Sequence, residues 1–147
     1  LAVVGSKLYA GWTESDGSGS QQVRVAVYNG NDGAPSWTSV AGDATDGLNY
    51  SSTASTLDLG VMNSKLYAVW HESSGIGAVD ETRLAVYNGN DLAPAWTFID
   101  GNGNAGINID NSKSAFDSRL INFNNKLYCT WAEANGVASQ IRIAVGQ

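Results

Sequence analysis

Three carboxylate–guanidinium sets recur along the chain: Glu14 with Arg24, Glu72 with Arg83, and Glu133 with Arg142. If the strands that carry them are hairpin neighbours, each set can close a bidentate ion pair. Such a pair either staples two strands or grips a ligand at the loop end. Each arginine has its own glutamate, which favours the structural role for Arg24, Arg83 and Arg142. Trp12, Trp70 and Trp131 recur two residues before these glutamates, and Trp37 and Trp96 form a second recurring set. A tryptophan can stack on a sugar ring. A large aromatic at the same place in every unit is also what stacked sheets need, so packing is the expected role for all five. A third group lies in polar loops: Asp43, Asp46 and Asn49 in one copy, and Asn102, Asn104, Asn108 and Asp110 in the other. The alternation Asp100-x-Asn102-x-Asn104 has the oxygen spacing of a calcium loop. Ala41 replaces Asp100 in the first copy, and neither copy has a distal glutamate, so no cofactor is expected. His71 stands where other units have Thr13 and Ala132, with no Asp, Cys or His beside it in sequence, and reads as a tolerated side chain. Cys129 takes the slot of Ala10 and Ala68 and reads as a small buried residue. No nucleophile–base pair, zinc cluster or phosphate loop is visible. Binding without turnover is the expectation, and the chain is not read as an enzyme.

These residues are positioned by a repeat of about 59 residues. Lys7-Leu8-Tyr9-Ala10-x-Trp12-x-Glu14 returns from Lys65 and again from Lys126. Arg24-Val25-Ala26-Val27-Tyr28-Asn29-Gly30-Asn31-Asp32 returns from Arg83, and its opening returns at Arg142. Each unit reads as four strands. Strand A is Leu1–Val4, Leu57–Met62 and Arg119–Phe123. Strand B is Leu8–Glu14, Leu66–Glu72 and Leu127–Glu133, with Leu, Ala or Cys, Trp and Glu sharing one face and Tyr on the other. Strand C is Val23–Tyr28, Thr82–Tyr87 and Ile141–Val145. Strand D opens at Trp37 and Trp96. Gly5-Ser6, Asn63-Ser64 and Asn124-Asn125 fit two-residue hairpins. The division is therefore blade 1 at 1–42, a crossing loop at 43–56, blade 2 at 57–100, a crossing loop at 101–118, and a partial blade 3 at 119–147. The class is all-β: β-propeller blades of four antiparallel strands, two complete and a third with three strands.

A net charge of −6 argues against a nucleic-acid partner. No apolar run approaches the ~20 residues of a membrane span. A single cysteine excludes an internal disulfide framework. With no leader peptide and no initiating Met, the chain reads as a mature or excised piece.

The order of apolar strand, turn, Leu-Tyr-x-x-Trp-x-Glu, loop, Arg-x-Ala-x-Tyr, Asn-Asp turn and Trp resembles the sialidase-like propeller repeats of bacterial secreted and surface proteins. In that group the C–D turn is an Asp box. Asn31-Asp32 with Trp37, and Asn90-Asp91 with Trp96, stand in comparable places, with an Ala-Pro pair where the group has Gly-x-Thr. The resemblance implies blade architecture, and a secreted or cell-surface location. It also implies that a hydrolase of this kind would converge its arginines on one carboxylate beside a tyrosine nucleophile. Here every arginine has its own glutamate, so hydrolysis is not expected.

Fewer than three complete blades cannot close a ring, for which about four to eight are usual. Two chains would supply six, so a homodimer is expected. The first functional reading is a multivalent, lectin-like carbohydrate-binding module. Its glycan contacts are expected at Asp46, Asn49, Asn104 and Asn108, and then at Glu14, Glu72 and Glu133. The alternative is a structural or protein-interaction scaffold with no small-molecule site. A glycosidase fragment is the third reading.

Overall fold

The computed structural model describes residues 1–41, 47–49, 53–73, 79–100 and 106–146. Asp43, Asp46, Asn102 and Asn104 lie outside the described residues. Among the described residues the regular structure is all β. Sheet 1 is β1 (Ala2–Val4), β2 (Lys7–Ser15), β3 (Gln21–Tyr28) and β4 (Trp37–Ala41), in that order. Sheet 2 is β5 (Ala54–Met62), β6 (Lys65–Ser73), β7 (Asp80–Tyr87) and β8 (Trp96–Phe98). Sheet 3 is β9 (Ala115–Phe123), β10 (Lys126–Ala134) and β11 (Ser139–Gly146), with three strands. All the pairings within these sheets are antiparallel. None of the sheets closes on itself.

The tight turns follow from their residues. Asn63 and Ser64 have φ of 51° and 58°, and Asn124 and Asn125 have 50° and 58°. Two successive left-handed residues make the hairpin turn that matches strand twist, and asparagine tolerates that conformation well. The wider turns are built by side chains. Asn29 Oδ1 accepts from Asn31 N at 3.1 Å, and its Nδ2 donates to Ala34 O at 2.8 Å. Asn88 repeats both bonds, to Asn90 N at 3.0 Å and Ala93 O at 2.9 Å.

β5 and β9 begin earlier than the alternation predicts, at Ala54 and Ala115 rather than Leu57 and Arg119. The cause is a bulge in each strand. Thr56 and Asp117 carry φ of 51° and 56°, and the register to the neighbouring strand shifts there. A bulge resets the side-chain alternation, so the pattern stops short of the true strand.

Each sheet has two distinct faces. One carries the tryptophan, glutamate and arginine of the repeat and is called the indole face. The other carries the tyrosine of Leu-Tyr and is called the tyrosine face. The indole face of sheet 2 packs on the tyrosine face of sheet 1, with Leu66 and Tyr87 against Tyr9, Val25 and Val27. Trp70, Ala68 and Ala85 close on Val23 in the same contact. The indole face of sheet 3 packs on the tyrosine face of sheet 2, with Cys129 and Trp131 against Val69 and Leu127 beside Tyr67. Gly11 allows the close approach in the first contact, since a Cβ there would lie 2.7 Å from Leu57. Fully buried residues such as Trp70 and Val25 contribute apolar burial that holds the stack.

Candidate functional site

The register explains the repeated Trp-x-Glu. Trp12, Trp70 and Trp131 stand directly across from Arg24, Arg83 and Arg142. Residues two apart on a strand share a face, so each indole N–H reaches the following glutamate. The Nε1–Oε2 distances are 2.9 Å to Glu14, 2.8 Å to Glu72 and 2.9 Å to Glu133. The same carboxylates meet their arginines. Arg24 Nε lies 3.1 Å from Glu14, Arg83 Nε 3.8 Å from Glu72, and Arg142 Nη2 3.9 Å from Glu133.

Burial then separates the three copies. Glu72 and Glu133 are buried, whereas the Glu14 side chain is half exposed. Glu133 also accepts from Ile109 N at 2.9 Å and Asp110 N at 3.1 Å. It is a carboxylate that ties a crossing loop to sheet 3. Neither Glu72 nor Glu133 faces solvent where a sugar would sit. The hydrogen bond from Trp12, with Arg24 adding to it, holds Glu14 below the usual glutamate range against the desolvation that opposes it.

The asparagines expected to bind glycans serve the backbone. Asn49 Oδ1 accepts from Val23 N at 2.8 Å, and its Nδ2 donates to Gln21 O at 3.4 Å. Asn108 Oδ1 accepts from Thr82 N at 2.9 Å. Its Nδ2 donates to Asp80 O at 3.0 Å and Lys113 O at 2.9 Å. The preceding residues complete the clamp, since Leu48 N donates to Val23 O and Ile107 N to Thr82 O, each at 2.9 Å. Both crossings are thus stitched onto the third strand of their sheet. At Gly106, φ is +57° and a Cβ would lie 2.3 Å from Thr82 O, so the clamp requires glycine there.

Sheet 2 gathers further charge. Arg83 Nε lies 3.0 Å from Asp100 and Arg83 Nη1 lies 3.7 Å from Glu81, all buried. Burial pushes Glu81 up; Arg83 opposes this, while Glu72 and Asp100 add to it. Asp100, the first residue of the calcium-like spacing, is therefore engaged by Arg83. Among the described residues no three His, Cys, Asp or Glu side chains stand together as a metal site.

One pair escaped the sequence reading. Ser55 Oγ hydrogen-bonds His71 Nε2 across β5 and β6. The bulge at Thr56 brings Ser55, not Thr56, opposite His71, and nothing in the local sequence signals that shift. Nδ1 of His71 is buried without a hydrogen-bond partner among the described residues. Burial lowers its pKa, against the pull of Asp80 and Asp117. A base that activates serine needs its second nitrogen oriented by a hydrogen-bond acceptor, and among the described residues this ring has none. Cys129 is likewise unsuited as a nucleophile, since burial and nearby Asp58 push its thiol up to about 12.

The remaining unusual surface lies at the two ends of the stack. Trp12 is 39% exposed, whereas Trp70 is 0% and Trp131 is 3% exposed. Trp37, next to Tyr28 on the same indole face of sheet 1, is 47% exposed. At the other end, the tyrosine face of sheet 3 exposes Ile121, Phe123, Ile141, Ile143 and Val145. Contiguous apolar surface of this kind marks interaction sites. Comparison of the chain with protein-family models, curated proteins and solved structures found no match.

Proposed function

We propose that the chain is an interaction module, a β-propeller segment that joins other sheets of its own kind and binds without turnover. The observation that carries this reading is the exposure of Trp12 against the burial of Trp70 and Trp131. Sheet 1 offers an indole face with no tyrosine face over it among the described residues. Sheet 3 offers a tyrosine face with no indole face on it among the described residues. These two faces are the two halves of the contact that the chain uses twice internally. A second copy satisfies both at once, its sheet 1 stacking on sheet 3 of the first. The contact is head-to-tail, so it forms a ring where the rotation closes. Two copies of three sheets make six, which is within the usual range for propellers.

Sedimentation at micromolar concentration tests this reading, with twice the chain mass expected. Trp12→Glu and Ile143→Glu each place a charge in one half of the contact, and each alone should give monomers. Mixing the two variants leaves one intact indole face and one intact tyrosine face, so an open dimer should return. A wild-type monomer at that concentration, or a mixture that stays monomeric, overturns the reading.

Glycan binding by a secreted or surface protein is the second reading. Its support is the accessible indole of Trp12 beside the accessible carboxylate of Glu14, the pairing of apolar platform and hydrogen-bonding group that a sugar requires. Asp46 and Asn104 remain candidates for it in loops outside the described residues. A glycan array probed with the Trp12→Glu monomer and with wild type separates the two readings. Retention that disappears only with Trp12 supports the sugar site.

A further inference from the structure

The dipeptide Asn-Gly occurs at Asn29-Gly30, Asn88-Gly89, Asn102-Gly103 and Asn135-Gly136. At such a dipeptide an asparagine can lose its amide unaided. Glycine has no side chain to keep its backbone nitrogen away from the asparagine Cγ, and it adopts the backbone angles that ring closure needs. Asn102-Gly103 lies outside the described residues. The other three are exposed and lie between strands, with φ at the glycine of +73°, +77° and +90°. Exposure and backbone therefore do not separate them. Hydrogen bonding does.

Asn29 and Asn88 are held at both ends of the amide. Oδ1 of each accepts from one backbone N–H, and Nδ2 donates to a carbonyl, Ala34 O at 2.8 Å and Ala93 O at 2.9 Å. Asn135, in the loop between β10 and β11, is held differently. Its Oδ1 accepts from two backbone N–H groups, Val137 at 3.0 Å and Ala138 at 2.8 Å. Its Nδ2 has no hydrogen-bond partner among the described residues. Two N–H donors on one carbonyl oxygen stabilise the negative charge that develops there when the carbon is attacked. The leaving nitrogen is not tied down. Lys113 adds a cation beside the loop, since a Cβ at Gly136 would lie 3.9 Å from its Nζ.

We propose that Asn135-Gly136 is a self-modification site, at which the side-chain amide is lost and the β10–β11 hairpin is remade with aspartate or isoaspartate. The Gly136 nitrogen attacks Cγ of Asn135. The new C–N bond closes a cyclic imide as the Cγ–Nδ2 bond breaks, and Nδ2 leaves as ammonia with the proton that Gly136 N gives up. Water then opens the imide at either carbonyl, and nothing is oxidised or reduced. Opening at the side-chain carbonyl gives aspartate. Opening at the main-chain carbonyl gives isoaspartate, which carries an extra methylene carbon in the main chain. The loop is closed by Asn135 N donating to Ala138 O at 2.9 Å and by the pairing of Ala134 with Ser139. The added carbon breaks that closure and frees β11 at its turn end. The hairpin tip is internal to sheet 3, so the chemistry does not depend on what stacks at either end.

The test is peptide mapping by mass spectrometry of the intact protein, aged at mildly alkaline pH in heavy-oxygen water. In the folded chain Asn135 should convert about tenfold faster than Asn29 and Asn88, the effect of one hydrogen bond on the leaving amide. In guanidinium the three should convert at equal rates. Heavy oxygen should appear in the new carboxylate at Asn135. Asn135→Asp keeps an acceptor for Val137 N and Ala138 N and should melt like the fresh protein. The isoaspartate form, separated by chromatography, should melt lower. Conversion of Asn29 or Asn88 at the Asn135 rate in the folded chain overturns the proposal. So does a lead of Asn135 that persists in guanidinium, since flanking sequence rather than geometry then sets it. A folded chain that keeps the Asn135 amide while the unfolded chain loses it also overturns it.

Discussion

The two inter-sheet contacts of this molecule use the same faces and differ in how they are sealed. Between sheets 1 and 2, Trp96 and Asp91 reach across from the outer strand and its turn, while Phe98 packs on Trp70 of its own sheet. Between sheets 2 and 3 no outer strand reaches across among the described residues, and a cleft of about 470 Å³ lies between them. The inner strands pack alike in both. The difference teaches that the fourth strand serves two sheets. Phe98 and Trp96 pack on Trp70 and Tyr87 of their own sheet, while the Trp96 N–H also reaches the next one.

The strongest way to break this comparison is to remove the equivalent tryptophans one at a time. Trp70→Ala should cost about 3–5 kcal/mol, the range for large core truncations. Trp131→Ala should cost about 3 kcal/mol, at the low end of that range, because the cleft lined by its cluster neighbours Cys129 and Leu84 lets the surroundings relax. Trp12→Ala, measured where the chain is monomeric, should cost less than about 1 kcal/mol. Chemical denaturation reads all three, and equal costs would remove the distinction between the contacts.

A smaller effect lies in the loop clamps. Asn108 is buried and makes three backbone hydrogen bonds, whereas Asn49 is half-buried and makes a longer second bond. Leaving buried backbone groups unpaired costs about 1–3 kcal/mol. Asn108→Ala should fall at the upper end and Asn49→Ala at the lower. Amide exchange at Thr82 and Val23 should accelerate in the corresponding variant. Unchanged protection at Thr82 would return Asn108 to the list of available ligand groups.

The smallest effect is electrostatic. Sheets 1 and 3 have Gln22 and Gln140 where sheet 2 has Glu81, next to Arg83, Glu72 and Asp100. Burial raises the Glu81 pKa in the folded state. A carboxylic acid with a raised folded pKa binds its proton more tightly when folded. Stability therefore falls as pH rises from the unfolded glutamate value towards the folded one, and then stays lower. Glu81→Gln should raise the melting temperature by about 2–4 °C at pH 7, the shift for roughly 1 kcal/mol in a chain of this size. The gain should vanish near pH 4. A gain that is equal at both values would assign the effect to packing.

The strands and hairpins were legible because their signals are local. Asn63-Ser64 and Asn124-Asn125 announce their turns, and Leu-Tyr-x-x-Trp-x-Glu alternates with period two. The starts of β5 and β9 were hidden by the bulges at Thr56 and Asp117, where the period resets. The candidate site was read less well. Asn49 and Asn108 look like ligand groups in a polar loop, but they bind backbone 26 residues away. Composition carries no trace of a bond at that separation. The exposed state of Trp12, unlike its homologues, depends on what stacks against sheet 1 and not on any residue near it. Ser55 met His71 only through an irregular register.

The stacking has a direction, since each sheet turns its indole face to the sheet before it and its tyrosine face to the sheet after it. A stack of any length built this way buries one new contact per added unit and always ends in one bare face of each kind. Gaining or losing a unit by duplication or deletion changes the total stability and leaves the two ends chemically the same. The ends therefore cannot count. How many units complete a circle is decided by the angle between successive sheets, which is set by the sizes of the residues packed between them. A change such as Gly11→Ala, beside Leu57, is the kind that would alter the angle between sheets 1 and 2 without touching either end.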